Sequence, residues 1–231
     1  MLEVLYEDNH IIVVEKPPNM PIAADSSGDE ALLDIVKQYI KEKYEKPGEA
    51  YIGLVHRLDR PAGGVVVFAR TSKAAARLSA QIRAHDAGRT YYAVVRGIPP
   101  KQNDRLEHSL LKDTEENMVS VVPPTTEGAK PAILKYKLLQ TIETKKDGLL
   151  SLLQVQLETG RSHQIRAQMA FIGNPLYGDQ RYGFKVNKKG QQLALYAVKL
   201  SLDHPTLKQR MSFICYPPDA YPWTEFTIRI E

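Results

Sequence analysis

The sequence holds one cysteine, Cys215, among 231 residues. A single thiol closes no internal disulfide and builds no Cys-rich zinc site. Long apolar runs are missing as well, and none approaches the roughly 20 residues that a bilayer-crossing helix needs. The opening MLEVLYEDNH lacks the basic and apolar regions of a secretory signal. No membrane attachment is therefore expected, and the expected location is the cytoplasm. No glycine-rich phosphate loop and no nucleophile elbow occur. No His, Cys or acidic residues stand together at metal-ligand spacing, so no metal site is expected. Charge of one sign is also scarce. With 31 Lys+Arg against 27 Asp+Glu, the formal net charge is +4, a value ordinary proteins use for solubility and no proof of a polyanionic partner.

What is present is the composition of a globular protein, 43 % hydrophobic and 25 % charged, long enough to bury a substantial core. The charge is unevenly placed. Residues 1–50 carry net −6, residues 51–100 net +6, and residues 151–200 net +5. If the fold joins the two positive blocks, they form one basic surface suited to nucleic acid. Two separately solvated faces would give the same count.

Periodicity supplies the elements. Glu3 to Tyr6 and His10 to Glu15 read as a hairpin closed by Glu7-Asp8-Asn9. Ala31 to Tyr44 places Leu32, Ile35, Val36, Tyr39 and Ile40 at helical spacing, with Lys46-Pro47-Gly48 as its stop. Val65 to Ala69 is an unbroken β-branched and aromatic run, expected to be a strand buried on both faces. Thr71 or Ser72 caps a second helix with the stripe Ala75, Leu78, Ile82. Strands are expected at Tyr91–Arg96, 104–112, 117–122, 132–142, 149–158, 192–200, 210–215 and 225–230. A short helix is expected over Gln164–Ile172, with Ser162 as N-cap and Gly173 as stop. Many strands and three helices without strict alternation predict an α+β fold on a mixed, largely antiparallel sheet. No linker divides the chain, so residues 1–231 are expected to form a single domain.

Three segments can carry chemistry. In the first, His56-Arg57-Leu58-Asp59-Arg60-Pro61-Ala62-Gly63-Gly64 leads from an apolar strand into the buried one. Asp59 lies between two arginines that favour its anion, and a carboxylate there can serve as nucleophile or base. A salt-bridged loop carboxylate would satisfy the same pattern. In the second, Arg89-Thr90-Tyr91-Tyr92 puts two tyrosines on opposite faces of a strand, one of which can face a substrate. In the third, Gly160-Arg161-Ser162-His163-Gln164-Ile165-Arg166 begins a helix with cations that suit a phosphate or a carboxylate.

Taken together, HRLDRPAGGVVVFARTSKAA, RTYYAVVRG and ETGRSHQIRAQMAFIGNPLYGD resemble, in order and spacing, the motifs of the RluA-type pseudouridine synthases. The opening VLYEDNHIIVVEKPPNMP is similar to that family's N-terminal hairpin. The resemblance implies the pseudouridine synthase fold, a basic catalytic cleft, and isomerisation of uridine to pseudouridine in structured rRNA or tRNA, with no metal or organic cofactor. It implies that Asp59 is the catalytic carboxylate, Tyr91 the active-site tyrosine and Arg166 the partner of Asp59. Arg57 is implied to enter the RNA stack when the target nucleotide flips out, and His56, Arg60 and Arg161 to contact RNA. Many relatives carry an S4 domain before the hairpin; here a stand-alone catalytic domain acting as a monomer is expected. Relatives also commonly place hydroxyl residues where Ala62-Gly63 stands. A non-catalytic RNA-binding or ribosome-assembly factor on this fold is the alternative, although binding alone requires none of Asp59, Tyr91 and Arg166. A glycosidase would need two flanking carboxylates, and acidic residues are scarce in both basic blocks. Residues 100–130 and Lys185–Lys189 are the candidate determinants of substrate choice.

Overall fold

The computed structural model describes residues 2–45 and 47–230. Lys46 of the first helix stop lies outside them. The elements in chain order are β1 (Glu3–Glu7), β2 (Ile11–Lys16), α1 (Leu32–Lys43), β3 (Gly53–Leu54), β4 (Gly63–Ala69), α2 (Ser72–Arg83), β5 (Gly88–Arg96), β6 (Asn103–Asp113), β7 (Met118–Val122), β8 (Lys130–Thr144), β9 (Gly148–Leu157), α3 (Gln164–Phe171), β10 (Leu195–Asp203) and β11 (Arg210–Ile214). The fold is α+β, with mostly antiparallel strand pairing and, among the described residues, three α-helices. The chain forms two compact units, Met1–Arg89 with Ala197–Tyr216, and Thr90–Tyr196 with Pro217–Glu231. Among the described residues no helix is long and apolar enough to cross a membrane.

In the first unit, β1 pairs with β2 and β2 with β4, in register from Ile11↔Ala69 to Lys16↔Gly64. The hairpin turn is set by Asp8, whose Oδ1 accepts from the N–H groups of His10 and Ile11, both at 2.8 Å. All seven residues of β4 are buried, as its continuous apolar run requires. Each Val or Phe sequestered there contributes roughly 1.5–3 kcal/mol of hydrophobic stabilisation. Strand β3 covers the far edge of β4 over only two residues, Gly53↔Ala69 and Leu54↔Phe68. Gly64 has φ +120°, and a Cβ there would lie 2.3 Å from the Ala197 carbonyl oxygen. That approach to β10 is open to glycine alone. Helix α2 is capped by Thr71, whose Oγ1 accepts from the Ala74 N–H at 3.1 Å. Its buried residues are Ala74 and Leu78, so the stripe is turned one position from the expected Ala75.

The second unit is built on antiparallel strands in the order β5-β9-β8-β6-β7. Helix α3 packs on it through Ala167, which joins Leu110, Val119 and Ala132 in a buried cluster. The helix ends as expected: Gly173 takes φ +88°, its N–H reaching Ala170 O and that of Asn174 reaching Met169 O. This pair of bonds is a Schellman motif. Its start differs from expectation. Ser162 does not cap; His163 is the N-cap, in left-handed conformation and without a side-chain cap bond. The expected strand at 225–230 does not form either. A short 3-10 turn, Trp223–Glu225, is followed by irregular chain. Side-chain contacts hold that segment instead: Tyr92 Oη donates to Arg229 O, and Gln140 Oε1 accepts from the Thr227 N–H. Alternation alone does not make a strand where no ladder partner is offered.

Candidate active site

The HRLD segment belongs to the first unit, between β3 and β4. Asp59 opens a turn, its carbonyl accepting from the Ala62 N–H at 3.0 Å. That turn is fastened by Lys16, the last residue of β2, which is fully buried. The Lys16 ammonium donates to Ala62 O at 2.7 Å, Pro17 O at 2.9 Å and Arg60 O at 3.0 Å. An ammonium has three protons, and all three are committed here. Burial pushes the Lys16 pKa down to about 7; the Asp59 charge opposes this and the Arg60 charge adds to it.

The neighbours of Asp59 have separate duties. His56 Nε2 accepts from the Val67 N–H at 3.0 Å. A main-chain N–H only donates, so Nε2 carries no proton and the neutral ring holds its proton on Nδ1. His56 thus continues the edge that β3 leaves uncovered on β4. Burial, with the nearby Arg89 charge, lowers its pKa to about 4. Arg60 turns to the 19–29 segment: Nε donates to Asn19 O at 3.0 Å, and the guanidinium pairs with Asp25 and Asp29. Two carboxylates neutralise it. Arg57 is exposed.

Tyr91, Arg161 and Arg166 belong to the second unit. Tyr91 is buried in β5 opposite Val155 of β9, while Tyr92 is pinned to the Arg229 carbonyl. The start of α3 is organised by Gln164. Its Oε1 accepts from the Arg161 N–H at 2.9 Å and from Thr159 Oγ1 at 2.8 Å, and its Nε2 donates to Ile133 O at 3.0 Å. The Arg161 Nε donates to Pro131 O at 2.9 Å.

Arg166 is buried on α3 and meets Asp179 side-on. Nε lies 2.7 Å from Oδ2 and Nη2 lies 2.9 Å from Oδ1. Oδ1 also accepts from the Arg181 and Tyr182 N–H groups, at 2.9 and 3.1 Å. The Tyr182 ring lies 5.2 Å from the guanidinium carbon. Burial raises the Asp179 pKa, but the Arg166 bonds and charge and the two N–H groups outweigh it, so the pKa lies below the ordinary carboxylate value. The expected partner of Arg166 was Asp59; sequence reasoning did not name Asp179. A signal was available, because Asp179 is the one acidic residue between Glu158 and Asp203, and a buried arginine demands an anion. Lys16 was missed as well. A cation that closes a strand of buried apolar residues, followed by Pro-Pro, is the corresponding signal.

The model of the family described as RNA pseudouridylate synthase matches residues 10–171. The chain belongs to the RNA pseudouridylate synthase family. The matched span includes Asp59, Tyr91 and Arg166. Family members of similar sequence include ribosomal large subunit pseudouridine synthase D of Pseudomonas aeruginosa, 31 % identical over 236 residues, 96 % of this chain and 70 % of that protein. Another is tRNA pseudouridine synthase C of Yersinia pestis, 29 % identical, covering 92 % of this chain and 85 % of that one. The solved structure of human RNA pseudouridylate synthase domain containing 4 has the same fold, with TM-score 0.76 and 21 % identity over 94 % of this chain and 89 % of that one. Pseudouridylate synthases of this kind are isomerases acting on RNA, and that is the activity of this chain.

Proposed function

We propose that the chain converts uridine to pseudouridine in structured rRNA or tRNA, with Asp59, Tyr91 and Arg166 as the catalytic residues. The observation that supports this reading is the family match across residues 10–171, a span that contains all three. In the reaction the C1′–N1 bond breaks and a C1′–C5 bond forms. The C5 proton leaves and N1 gains one, so atoms balance and no electrons change hands. A stacked uridine hides these atoms, so the nucleotide is extruded at a cost of a few kcal/mol. Arg57, exposed in the Asp59 loop, fills the vacated place in the stack with a planar cation. Asp59 acts on the exposed nucleotide, and Arg166 is its proposed cationic partner. Tyr91 lies against the uracil and takes part in removing the C5 proton. His56 supports the Asp59 loop, Arg60 faces the 19–29 segment, and Arg161 contributes positive charge beside α3. The substrate classes come from the relatives, named for large-subunit rRNA and for tRNA. The protein acts as a monomer in the cytoplasm.

The test uses RNA from a strain that lacks the gene, labelled with [5-³H]uridine. Wild-type protein releases tritium and creates carbodiimide-dependent primer-extension stops. Asp59→Ala does neither. Equal tritium release by the two proteins defeats the assignment of Asp59.

A further inference from the structure

Residues 180–190 of the second unit read QRYGFKVNKKG, and no acidic residue occurs between Asp179 and Asp203. The segment carries an exposed edge that is both aromatic and cationic. Phe184 is 65 % exposed and Val186 52 %, and Lys185, Lys188 and Lys189 are exposed beside them. The Lys185 Nζ stands 5.9 Å from the Phe184 ring centroid. Lysines around an exposed ring are the combination that single-stranded RNA fits. Bases stack on the ring and phosphates meet the ammonium groups.

The base of this segment is fixed. Asn187 is 8 % exposed; its Nδ2 donates to Leu176 O at 2.8 Å and to Asp179 O at 3.1 Å, and its Oδ1 accepts from Arg96 Nε at 2.9 Å. The Gly183 N–H also reaches Asp179 O, at 3.1 Å, and the Asn187 N–H reaches Gly183 O at 2.9 Å. Asp179 therefore serves two structures. Its main-chain carbonyl anchors the loop, and its carboxylate orients Arg166.

We propose that residues 180–190 form an RNA-binding loop in which Phe184 stacks on an unpaired base of the substrate and Lys185, Lys188 and Lys189 hold its phosphates, with Asn187 a positioning residue linking this loop to Arg166. The assignment rests on the chain's activity on RNA. It predicts that occupancy of the loop and the set of Arg166 are mechanically joined through Asp179.

Filter binding and tritium release are measured with the same labelled RNA. Phe184→Ala weakens binding by about 5- to 100-fold, the range for losing one base–aromatic stack. The triple variant Lys185→Gln, Lys188→Gln, Lys189→Gln lowers the slope of log affinity against log salt by about two to three units. Asn187→Ala lowers the single-turnover rate on the order of 10- to 100-fold, the scale expected when a reacting group is displaced by about 1 Å. If Asn187→Ala does not fold, Gly183→Ala replaces it, since its Cβ would lie 2.5 Å from Asn187 Nδ2. Wild-type affinity in Phe184→Ala, an unchanged salt slope in the triple variant, or a wild-type single-turnover rate in the folded Asn187 or Gly183 variant overturns the proposal. Binding needs no turnover. A wild-type protein that binds RNA through this loop but releases no tritium would defeat the assigned catalysis and leave the loop assignment standing.

Discussion

Arg166 and Asp179 form a buried, two-bonded ion pair, Nε to Oδ2 at 2.7 Å and Nη2 to Oδ1 at 2.9 Å. The side chains are 5 % and 0 % exposed. Removing one partner leaves a buried charge without compensation, which costs about 3–5 kcal/mol. Asp179→Ala is therefore expected to lower the melting temperature strongly and to abolish turnover. The pair also has a pH signature. The folded pKa of Asp179 lies below its unfolded value, so its stabilisation is present above the unfolded value and is lost as pH falls through the folded one. Urea unfolding between pH 2 and 6 should show this acid limb in the wild type. A folded Asp179→Asn variant with an unchanged limb would contradict it.

Lys16 gives a signature of the same sign in a higher pH window. Its folded pKa of about 7 lies below the ordinary lysine value of 10.5. Its contribution to stability is complete above the unfolded value and is lost as pH falls through about 7. Between pH 7 and 10 the wild type should therefore gain stability relative to Lys16→Met. Activity should run the other way. As the ammonium discharges, one of the three bonds that hold the Pro17, Arg60 and Ala62 carbonyls is lost, and single-turnover rates should fall above pH 7. A rate profile identical in Lys16→Met and wild type would remove Lys16 from the support of Asp59.

His56 should be silent across the neutral range. With Nε2 accepting from the Val67 N–H and a pKa of about 4, it stays neutral with its proton on Nδ1 above that pH. Nitrogen-15 chemical shifts report the tautomer directly, and a His56 titration between pH 6 and 7 would refute it. Its stability contribution is present above the unfolded value and lost as pH falls through about 4. His56→Ala strands a buried N–H, which costs about 1–3 kcal/mol.

Arg57 and Arg60 flank Asp59 within four residues, yet their substitutions should differ. Arg57→Ala should lose turnover more than RNA affinity, because its proposed place is in the stack of the flipped nucleotide. Arg60→Ala should change both only slightly, because Asp25 and Asp29 already neutralise that guanidinium. If binding collapses in Arg57→Ala while single-turnover chemistry stays normal, the flipping role fails.

The sequence by itself determined the family, the α+β class, the buried character of β4, the Thr71 cap and the Gly173 helix stop. These are local: strand and helix periods, caps and motif spacings are written in neighbouring residues. Only the tertiary structure decided which groups complete one another. Lys16 meets Arg60 and Ala62 from 44 and 46 residues away, and Arg166 meets Asp179 across 13. His56 finds its donor on β4, Arg60 turns to the acidic 25–29 segment, and residues 225–230 alternate without becoming a strand. A buried charge or a strand edge needs a partner, but its own sequence does not say which one. Chain closure brings one within hydrogen-bond distance, and that choice is made in three dimensions.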